Sequence, residues 1–144
     1  MNTKLNELIS SKERIKILGE VLYLEKCRVS EIAKKLELSK GLISKYFEIL
    51  VNEKVMKKKQ NNFIVIENFK TRGLRILLNI FIFSDSLFSR YKFVSAAGLY
   101  GSAARGENKK DSDIDLWVKV EIVNDMEIAK LHSELGKEIN GLNL

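Results

Sequence analysis

The sequence has no proline and only one cysteine and one histidine among its 144 residues. Because the single Cys27 has no partner in the chain, an internal disulfide is excluded, and a reducing cytoplasm is the expected location. The lone His132 has no cysteine, histidine or acid at ligand spacing around it, so a metal site at this position is not expected. The absence of proline leaves the apolar segment between the two halves free to form an uninterrupted helix.

Long apolar runs are also missing. The longest, Leu74–Phe83, is interrupted by Arg75 and Asn79 and is too short to span a bilayer. The N-terminus has no apolar run that resembles a signal peptide. With 45% hydrophobic and 31% charged residues, the composition is that of a soluble globular protein of one domain or two small ones. We therefore expect no membrane partner.

The positive charge is concentrated in the first half of the chain. Residues 1–70 contain 15 lysines and arginines against 9 acids, whereas residues 71–144 contain 10 of each. The whole net charge of +6 therefore lies in the first half. This asymmetry suggests a nucleic-acid-binding half joined to a neutral one, although lysines on ordinary solvated helices are the alternative.

Residues 11 to 52 show the periodicity of three helices. The apolar positions from Ser11 to Cys27 predict an amphipathic helix. Ser30 is predicted to be the N-cap of a short second helix, and Ser39 the N-cap of a third from Lys40 to about Asn52. Two short helices joined by a tight turn form a helix-turn-helix unit.

A lysine-rich β-hairpin is predicted directly after the helix-turn-helix, with strands Val55–Lys59 and Phe63–Ile66. The pattern from Val29 to Leu50, followed by this hairpin, resembles the winged-helix domains of prokaryotic repressors of the ArsR and MarR sort. The resemblance implies binding to duplex DNA. It places at the major groove Lys40, Gly41, Leu42, Ser44, Lys45 and Tyr46, and at the phosphates the wing residues Lys57, Lys58 and Lys59. A winged helix used for protein contacts is the alternative, and the lysine-rich wing favours DNA.

A long helix is predicted from Lys70 to Tyr91, with its polar residues on one narrow stripe. Such a helix, apolar over most of its circumference, must be covered on several sides. Symmetric pairing of two chains would cover it and would suit palindromic half-sites, so a homodimer is expected. Burial between the two domains of the same chain is the alternative, and both interpretations stay open.

Gly101 and Ser102 stand at the end of an apolar strand predicted from Phe93 to Tyr100, where a helix can begin. After a polar loop, Asp113 and Asp115 open a second apolar strand, in which side chains two apart point to the same face. Two adjacent carboxylates need a neutralising cation, and their hard oxygens suit Mg²⁺. Glycine lets the backbone approach closely, and the free N–H groups at a helix start bind phosphate oxygens. Together these features predict a site for a nucleoside triphosphate.

Gly101-Ser102, a spacer and Asp113-Ile114-Asp115 together resemble the signature of the nucleotidyltransferase superfamily of DNA polymerase beta, and look most like the minimal nucleotidyltransferases of prokaryotes. The resemblance implies Mg²⁺-dependent transfer of a nucleoside monophosphate from a triphosphate, expected to be ATP, to an acceptor hydroxyl. It assigns metal binding and catalysis to Asp113 and Asp115. It assigns phosphate binding to Gly101 and Ser102, with Arg105 assisting through its charge. Minimal nucleotidyltransferases are often antitoxins that pair with a HEPN-domain ribonuclease, which implies a partner toxin protein.

Asn124 is predicted to cap a last helix, with Glu127 in the capping-box position. The buried stripe of this helix is predicted to consist of Ile128, Leu131, Leu135 and Ile139. The nucleotidyltransferases that the chain resembles usually place a third carboxylate on the next strand, and the sequence ends where that strand would begin. Either the domain is incomplete at its C-terminus, or two aspartates suffice, or the site no longer turns over.

The sequence therefore predicts an α+β protein with a winged helix over residues 1–68, a connecting and dimerisation helix over 69–90, and a nucleotidyltransferase-like domain over 91–144. Its expected function is that of a DNA-binding nucleotidyltransferase, with the possibility of an autoregulating antitoxin. The alternative is a transcriptional regulator whose second domain only binds nucleotide or mediates assembly.

Overall fold

The computed structural model describes residues 3–82, 88, 91–121 and 124–141. Contacts between residues divide the chain into two compact units, residues 1–75 and 76–144. The mixture of helices and antiparallel strands agrees with the predicted α+β class. The domain bounds predicted from the sequence stay predictions. Among the described residues, no helix is both long and apolar enough to cross a membrane.

The first unit has the element order of a winged helix. Its elements are α1 (Thr3–Ile9), α2 (Lys12–Val21), β1 (Lys26–Cys27), α3 (Val29–Leu36), α4 (Lys40–Asn52), β2 (Met56–Lys59), β3 (Asn62–Val65) and the first part of α5 (Phe69–Ile82). The three strands form an antiparallel sheet in the order β1-β3-β2. The predicted hairpin is confirmed, with Lys59 paired to Asn62 across a tight turn.

Two of the predicted helix starts have different outcomes. Ser39 caps α4 as predicted, since its Oγ accepts a hydrogen bond from the Leu42 N–H at 3.2 Å. The prediction of Ser30 as the cap of α3 is wrong, because that helix begins at Val29 with Arg28 as its N-cap. The Arg28 N–H donates to the Glu31 carboxylate at 3.0 Å, which satisfies a backbone donor at the helix start.

The helix predicted from Ser11 to Cys27 is too long. Helix α2 ends at Val21, and Lys26 and Cys27 belong instead to β1, where Cys27 pairs with Phe63. The apolar periodicity does continue through this segment, and Cys27 is buried as expected. Tertiary pairing with β3 supplies that burial, so the segment forms a strand and not a last helical turn.

The core of the first unit is formed by side chains from α2, α4 and the hairpin. Its fully buried apolar residues include Ile17, Leu18, Leu22, Ile43, Phe47, Leu50 and Val55. The rings of Phe47 and Phe63 meet edge to face with centroids 4.7 Å apart. Burial of each large side chain contributes about 1.5–3 kcal/mol to the free energy of folding. The contact between Phe47 and Phe63 therefore stabilises the packing of α4 against the hairpin.

Helix α5 carries a buried arginine into the first unit. Arg75 is 0% exposed, and its guanidinium donates to both carboxylate oxygens of Glu67 at 2.7 and 2.8 Å. Its Nε donates to the Leu22 carbonyl at 2.9 Å. The stripe of polar residues on this helix therefore includes Arg75, whose side chain points into the core. Its ion pair with Glu67 offsets the cost of burying the charge.

The helix predicted to run from Lys70 to Tyr91 is confirmed only over its first part. It ends at Ile82 in the described residues, Phe88 lies in a turn, and Tyr91 lies outside any helix. The rest of the prediction falls on residues 83–87 and 89–90, which lie outside the described residues.

The second unit contains the remainder of α5, β4 (Val94–Leu99), α6 (Gly101–Arg105), β5 (Leu116–Val120) and α7 (Asp125–Gly141). Strands β4 and β5 pair antiparallel, from Val94 opposite Val120 to Leu99 opposite Leu116. Val118 and Val120 pack against a cluster formed by Tyr91, Leu131 and Leu135. One face of the two-stranded sheet therefore meets α7.

The start of α7 follows the sequence prediction. The Glu127 N–H donates to Asn124 Oδ1 at 2.9 Å, and the Asn124 N–H donates to the Glu127 carboxylate at 3.3 Å. This reciprocal pair is the predicted capping box. Leu131 and Leu135 are buried as predicted, whereas the prediction that Ile128 is buried is wrong, since this residue is 43% exposed. The side chain of Ile139 lies outside the described residues.

Candidate functional site

The junction between β4 and α6 requires a glycine. Tyr100 is the N-cap of α6, and Gly101 begins the helix with φ +63°. This left-handed conformation costs other residues about 1–2 kcal/mol. The Gly-Ser dipeptide of the sequence therefore stands at the strand-to-helix turn where it was predicted.

Asp115 lies directly against Gly101. A Cβ atom built on Gly101 would be 2.1 Å from Asp115 Oδ2 and 3.1 Å from its Cγ. No side chain can occupy that space while the carboxylate stays in place. Gly101 is thus required twice, once by its backbone angle and once by the close approach of the aspartate. The contact joins the two halves of the sequence motif.

The two aspartates precede β5 instead of opening it, which corrects the sequence prediction. The strand begins at Leu116, and the segment from Ser112 to Asp115 has no regular structure. The Tyr100 N–H nevertheless donates to the Asp115 carbonyl at 3.0 Å, so backbone pairing reaches one residue beyond the strand. Asp113 is exposed and Asp115 is partly buried. A common orientation of their carboxylates stays a prediction.

Helix α6 and the following loop are held by short-range hydrogen bonds. The Glu107 N–H donates to the Ser102 carbonyl at 2.9 Å, and the Lys109 N–H donates to Ser112 Oγ at 2.8 Å. Arg105, which the resemblance places near the phosphates, forms an ion pair with Glu107 at 2.8 Å. The Arg105 side chain is 62% exposed, so an anion could compete with Glu107 for it.

Two buried asparagine side chains, Asn79 and Asn108, lie against α6 and the loop that follows it. Asn79 Nδ2 donates to the Ala103 carbonyl at 2.8 Å and to Asn108 Oδ1 at 3.0 Å. Both asparagines are 1% exposed. The sequence pattern did not predict this pair, although Asn79, a polar residue inside the otherwise apolar helix α5, was an available signal. The pair positions the end of α6 and the start of the loop, because buried amides need their partners.

The donor set at this site fits a magnesium ion. Asp113 and Asp115 offer hard carboxylate oxygens, and phosphate oxygens and water would supply the remaining ligands. In the described part of the chain, neither carboxylate forms an ion pair. No group of three or more histidine, cysteine, aspartate or glutamate side chains that could hold a metal occurs there. The candidate metal site therefore rests on two aspartates.

The exposed face of α4 and the wing carry the residues predicted to meet DNA. The exposed ones are Lys40, Gly41, Leu42, Lys45, Lys57, Lys58 and Lys59, and Ser44 is partly buried. The hairpin sets the three wing lysines along one strand, β2. Their assignment to DNA stays a prediction, and their exposure leaves them accessible to phosphates.

The prediction that Tyr46 faces the major groove is wrong. Its side chain is 2% exposed, and its hydroxyl donates to the Leu8 carbonyl at 2.7 Å. Burial raises the pKa of the Tyr46 hydroxyl well above its ordinary value of 10, so it stays protonated. Tyr46 follows Ile43 by three residues on α4, and both lie on the buried stripe.

A cleft of about 440 Å³ lies between the starts of α3 and α4 and the wing. Three cationic residues from separate elements line it, namely Arg28, Lys40 and Lys58, together with the polar residues Ser30, Ser44 and Asn61. Arg28 Nε donates to Asn62 Oδ1 at 3.2 Å, which ties it to the hairpin. Sequence periodicity could not find Arg28 or Asn61, because only the fold brings them beside Lys40.

The winged helix and the Gly-Ser/Asp-x-Asp site together define a DNA-binding type of unit combined with a nucleotidyltransferase type of unit. Residues 11–55 match the family model of the arsR family of bacterial regulatory proteins. Residues 84–143 match the family model of polymerase beta nucleotidyltransferases. The chain thus combines a segment similar to the arsR family with a segment similar to polymerase beta nucleotidyltransferases. No curated protein and no solved structure matches it.

Proposed function

We propose that the protein is a DNA-binding nucleotidyltransferase that uses Mg²⁺ and a nucleoside triphosphate, with ATP the expected one. The observation that carries the proposal is the contact of Asp115 with Gly101 at the strand-to-helix turn. A carboxylate for a metal and a helix start for phosphate lie together there.

In the proposed reaction, Asp113 and Asp115 would hold Mg²⁺, and the metal would supply positive charge that polarises the α-phosphate and acidifies the attacking hydroxyl. The N–H groups of Gly101 and Ser102 would bind the terminal phosphates. Arg105 would leave its ion pair with Glu107 and bind a phosphate oxygen, which adds positive charge. The acceptor oxygen forms a bond to the α-phosphorus while the bond to pyrophosphate breaks. The proton of the acceptor hydroxyl passes to solvent.

For the first unit, we propose duplex DNA as the partner. Lys45 on the exposed face of α4 and the wing residues Lys57–Lys59 would meet the groove and the backbone. The cleft lined by Arg28, Lys40 and Lys58 suits a backbone phosphate, since three cationic residues and two hydroxyls line it.

A homodimer is part of the same proposal. Helix α5 keeps three large apolar side chains on its surface, with Phe69 83%, Ile80 56% and Phe81 71% exposed. Pairing of two chains over this helix would cover them and would present two winged helices to a palindromic site. A toxin partner, as in antitoxins of this kind, would supply an acceptor hydroxyl on a protein.

Binding of Mg-ATP tests the nucleotide site. Replacing both metal ligands, Asp113→Asn with Asp115→Asn, should weaken Mg-ATP binding at least about tenfold in calorimetry, because the metal loses both carboxylates. The matched control is Asp111→Asn with Glu121→Gln, which removes the same charge from exposed positions outside the site. Equal weakening by both pairs would mean that only net charge matters and would contradict the proposal.

The second candidate function is a regulator whose nucleotidyltransferase-like unit binds nucleotide without transferring it. It is favoured by the donor set in the described residues, where only Asp113 and Asp115 are assigned to the metal, because a two-metal mechanism needs ligands for both ions. Incubation with Mg²⁺ and ATP labelled at the α-phosphate separates the two functions. Transfer of label to an acceptor supports the enzyme, whereas saturable binding with no transfer supports the regulator.

A further inference from the structure

The outer face of the two-stranded sheet presents an aromatic side chain beside the candidate metal site. Alternate residues of β5 point to opposite faces, so Val118 and Val120 pack inward while Trp117 and Lys119 point outward. Trp117 is 48% exposed. The Tyr100 N–H donates to the Asp115 carbonyl, so strand pairing continues to Asp115 and places this aspartate on the same face as Trp117, two residues away.

Trp117 is seated on a glycine of the neighbouring strand. Gly98 is its cross-strand partner, and a Cβ built on Gly98 would be 2.7 Å from the indole Nε1 and 2.8 Å from Cε2 and Cζ2. The indole therefore lies against the backbone of β4, while about half of the Trp117 surface stays exposed. A glycine is needed here for space and not for its backbone angle.

Two glycine contacts thus organise the same face. Gly98 seats the Trp117 indole, and Gly101 seats the Asp115 carboxylate. Along an extended chain, two residues span about 7 Å. A nucleotide has its phosphates and its base separated by a ribose, which fits a carboxylate site for the phosphates next to a ring for the base.

We propose that the Trp117 indole is the stacking platform for the base of the nucleotide whose phosphates lie at Gly101 and Asp115. This inference rests on the proposed function, because it needs a nucleotide at that site. An exposed ring next to a phosphate-binding position gives affinity for any base, since every base offers a π-face. Recognition by stacking is stronger for the larger purine rings.

The test uses the fact that Trp117 is the only tryptophan in the sequence. The full-length protein is titrated with Mg-ATP and with Mg-tripolyphosphate, which lacks ribose and base. Calorimetry should show binding of both, and tryptophan fluorescence should be quenched by Mg-ATP alone. A Trp117→Ala change should weaken the binding of Mg-ATP about 5- to 100-fold and leave the binding of tripolyphosphate unchanged.

Two further variants complete the design. Trp117→Phe keeps a smaller ring and should retain part of the ATP affinity, which separates stacking from loss of fold. Phe69→Ala removes another exposed aromatic side chain, which is 83% exposed in the first unit, and should change the affinity for neither ligand.

The outcomes separate the inference from the proposed function. If tripolyphosphate and ATP bind the wild-type protein but Trp117→Ala weakens neither, the stacking role is refuted and the phosphate site stands. If neither ligand binds the wild-type protein, the proposed function fails and the inference with it. If Trp117 emission is already that of a buried indole without nucleotide, and Trp117→Ala lowers the oligomer mass, a second copy covers the ring and the inference is overturned.

Discussion

The two units of the chain differ in how completely they bury their apolar side chains. The first unit has no exposure at the core residues Ile17, Leu18, Leu22, Ile43, Phe47 and Leu50. In the described part of the second unit, the apolar residues packed against the buried cluster of Tyr91, Leu131 and Leu135 are only partly buried, and they include Phe93, Val94, Val118 and Val120. The first unit therefore has a fully buried apolar core. In the second unit, one face of the two-stranded sheet packs against the cluster of Tyr91, Leu131 and Leu135.

This difference matches what each unit is proposed to do. A helix that presents charges to a duplex must be held rigidly, and the buried stripe of α4 does so from behind. A site for a small ligand needs an accessible face with a few positioned groups. The open face of the second sheet provides this with Asp115 and Trp117, each seated on a glycine.

The largest effect is expected from the core of the first unit. Phe47→Ala should destabilise it by about 3–5 kcal/mol, because the ring is 0% exposed and packs against Phe63. Leu42→Ala on the exposed side of the same helix, where the side chain is 37% exposed, is the control and should change stability by about 0.5 kcal/mol or less. Denaturant unfolding followed by far-UV circular dichroism measures both. Similar losses for the two variants would show that the core is not fully buried as described.

A smaller effect on stability, with a large effect on binding, is expected at the second site. Gly101→Ala should cost about 1–3 kcal/mol, because it combines the left-handed angle with a clash against Asp115. It should also weaken Mg-ATP by displacing that carboxylate. Gly136→Ala in α7 is the matched control, since a Cβ there meets nothing within 4 Å and alanine favours helix. Calorimetric binding by Gly101→Ala at wild-type affinity would rule out the role given to this contact.

The smallest effect on stability is expected from the wing. Changing Lys57, Lys58 and Lys59 together to alanine should leave the fold intact, because all three side chains are exposed. It should lower affinity for every duplex sequence and reduce the slope of log K against log salt by up to about 2.7. The control for charge changes three exposed lysines outside the wing, namely Lys12→Ala, Lys26→Ala and Lys34→Ala together. An unchanged slope in the wing variant would show that the wing does not touch the backbone.

Several elements could be predicted because their signals are local. Helix α4 with its Ser39 cap, the wing hairpin and the Asn124–Glu127 capping box depend on residues close in sequence. The Gly-Ser turn was predictable for the same reason. Other features depended on distant residues. Cys27 lies in a strand and not in the predicted helix because it pairs with Phe63. The Tyr46 hydroxyl donates a hydrogen bond to the distant Leu8 carbonyl inside the core.

Sequence alone determined the kind of each unit and the residues of the Gly-Ser and Asp-x-Asp motifs, since periodicity, turn chemistry and short spacings encode them directly. Tertiary structure decided which groups meet. In the folded chain, the Arg75 guanidinium binds the Leu22 carbonyl and the Glu67 carboxylate, and Asn79 binds Asn108. Arg28 and Lys58 line one cleft. Asp115 lies against Gly101, and Trp117 lies against Gly98. The physical reason is that buried polar groups and close backbone approaches must be satisfied by partners far along the chain. Those partners are chosen by packing and not by local pattern.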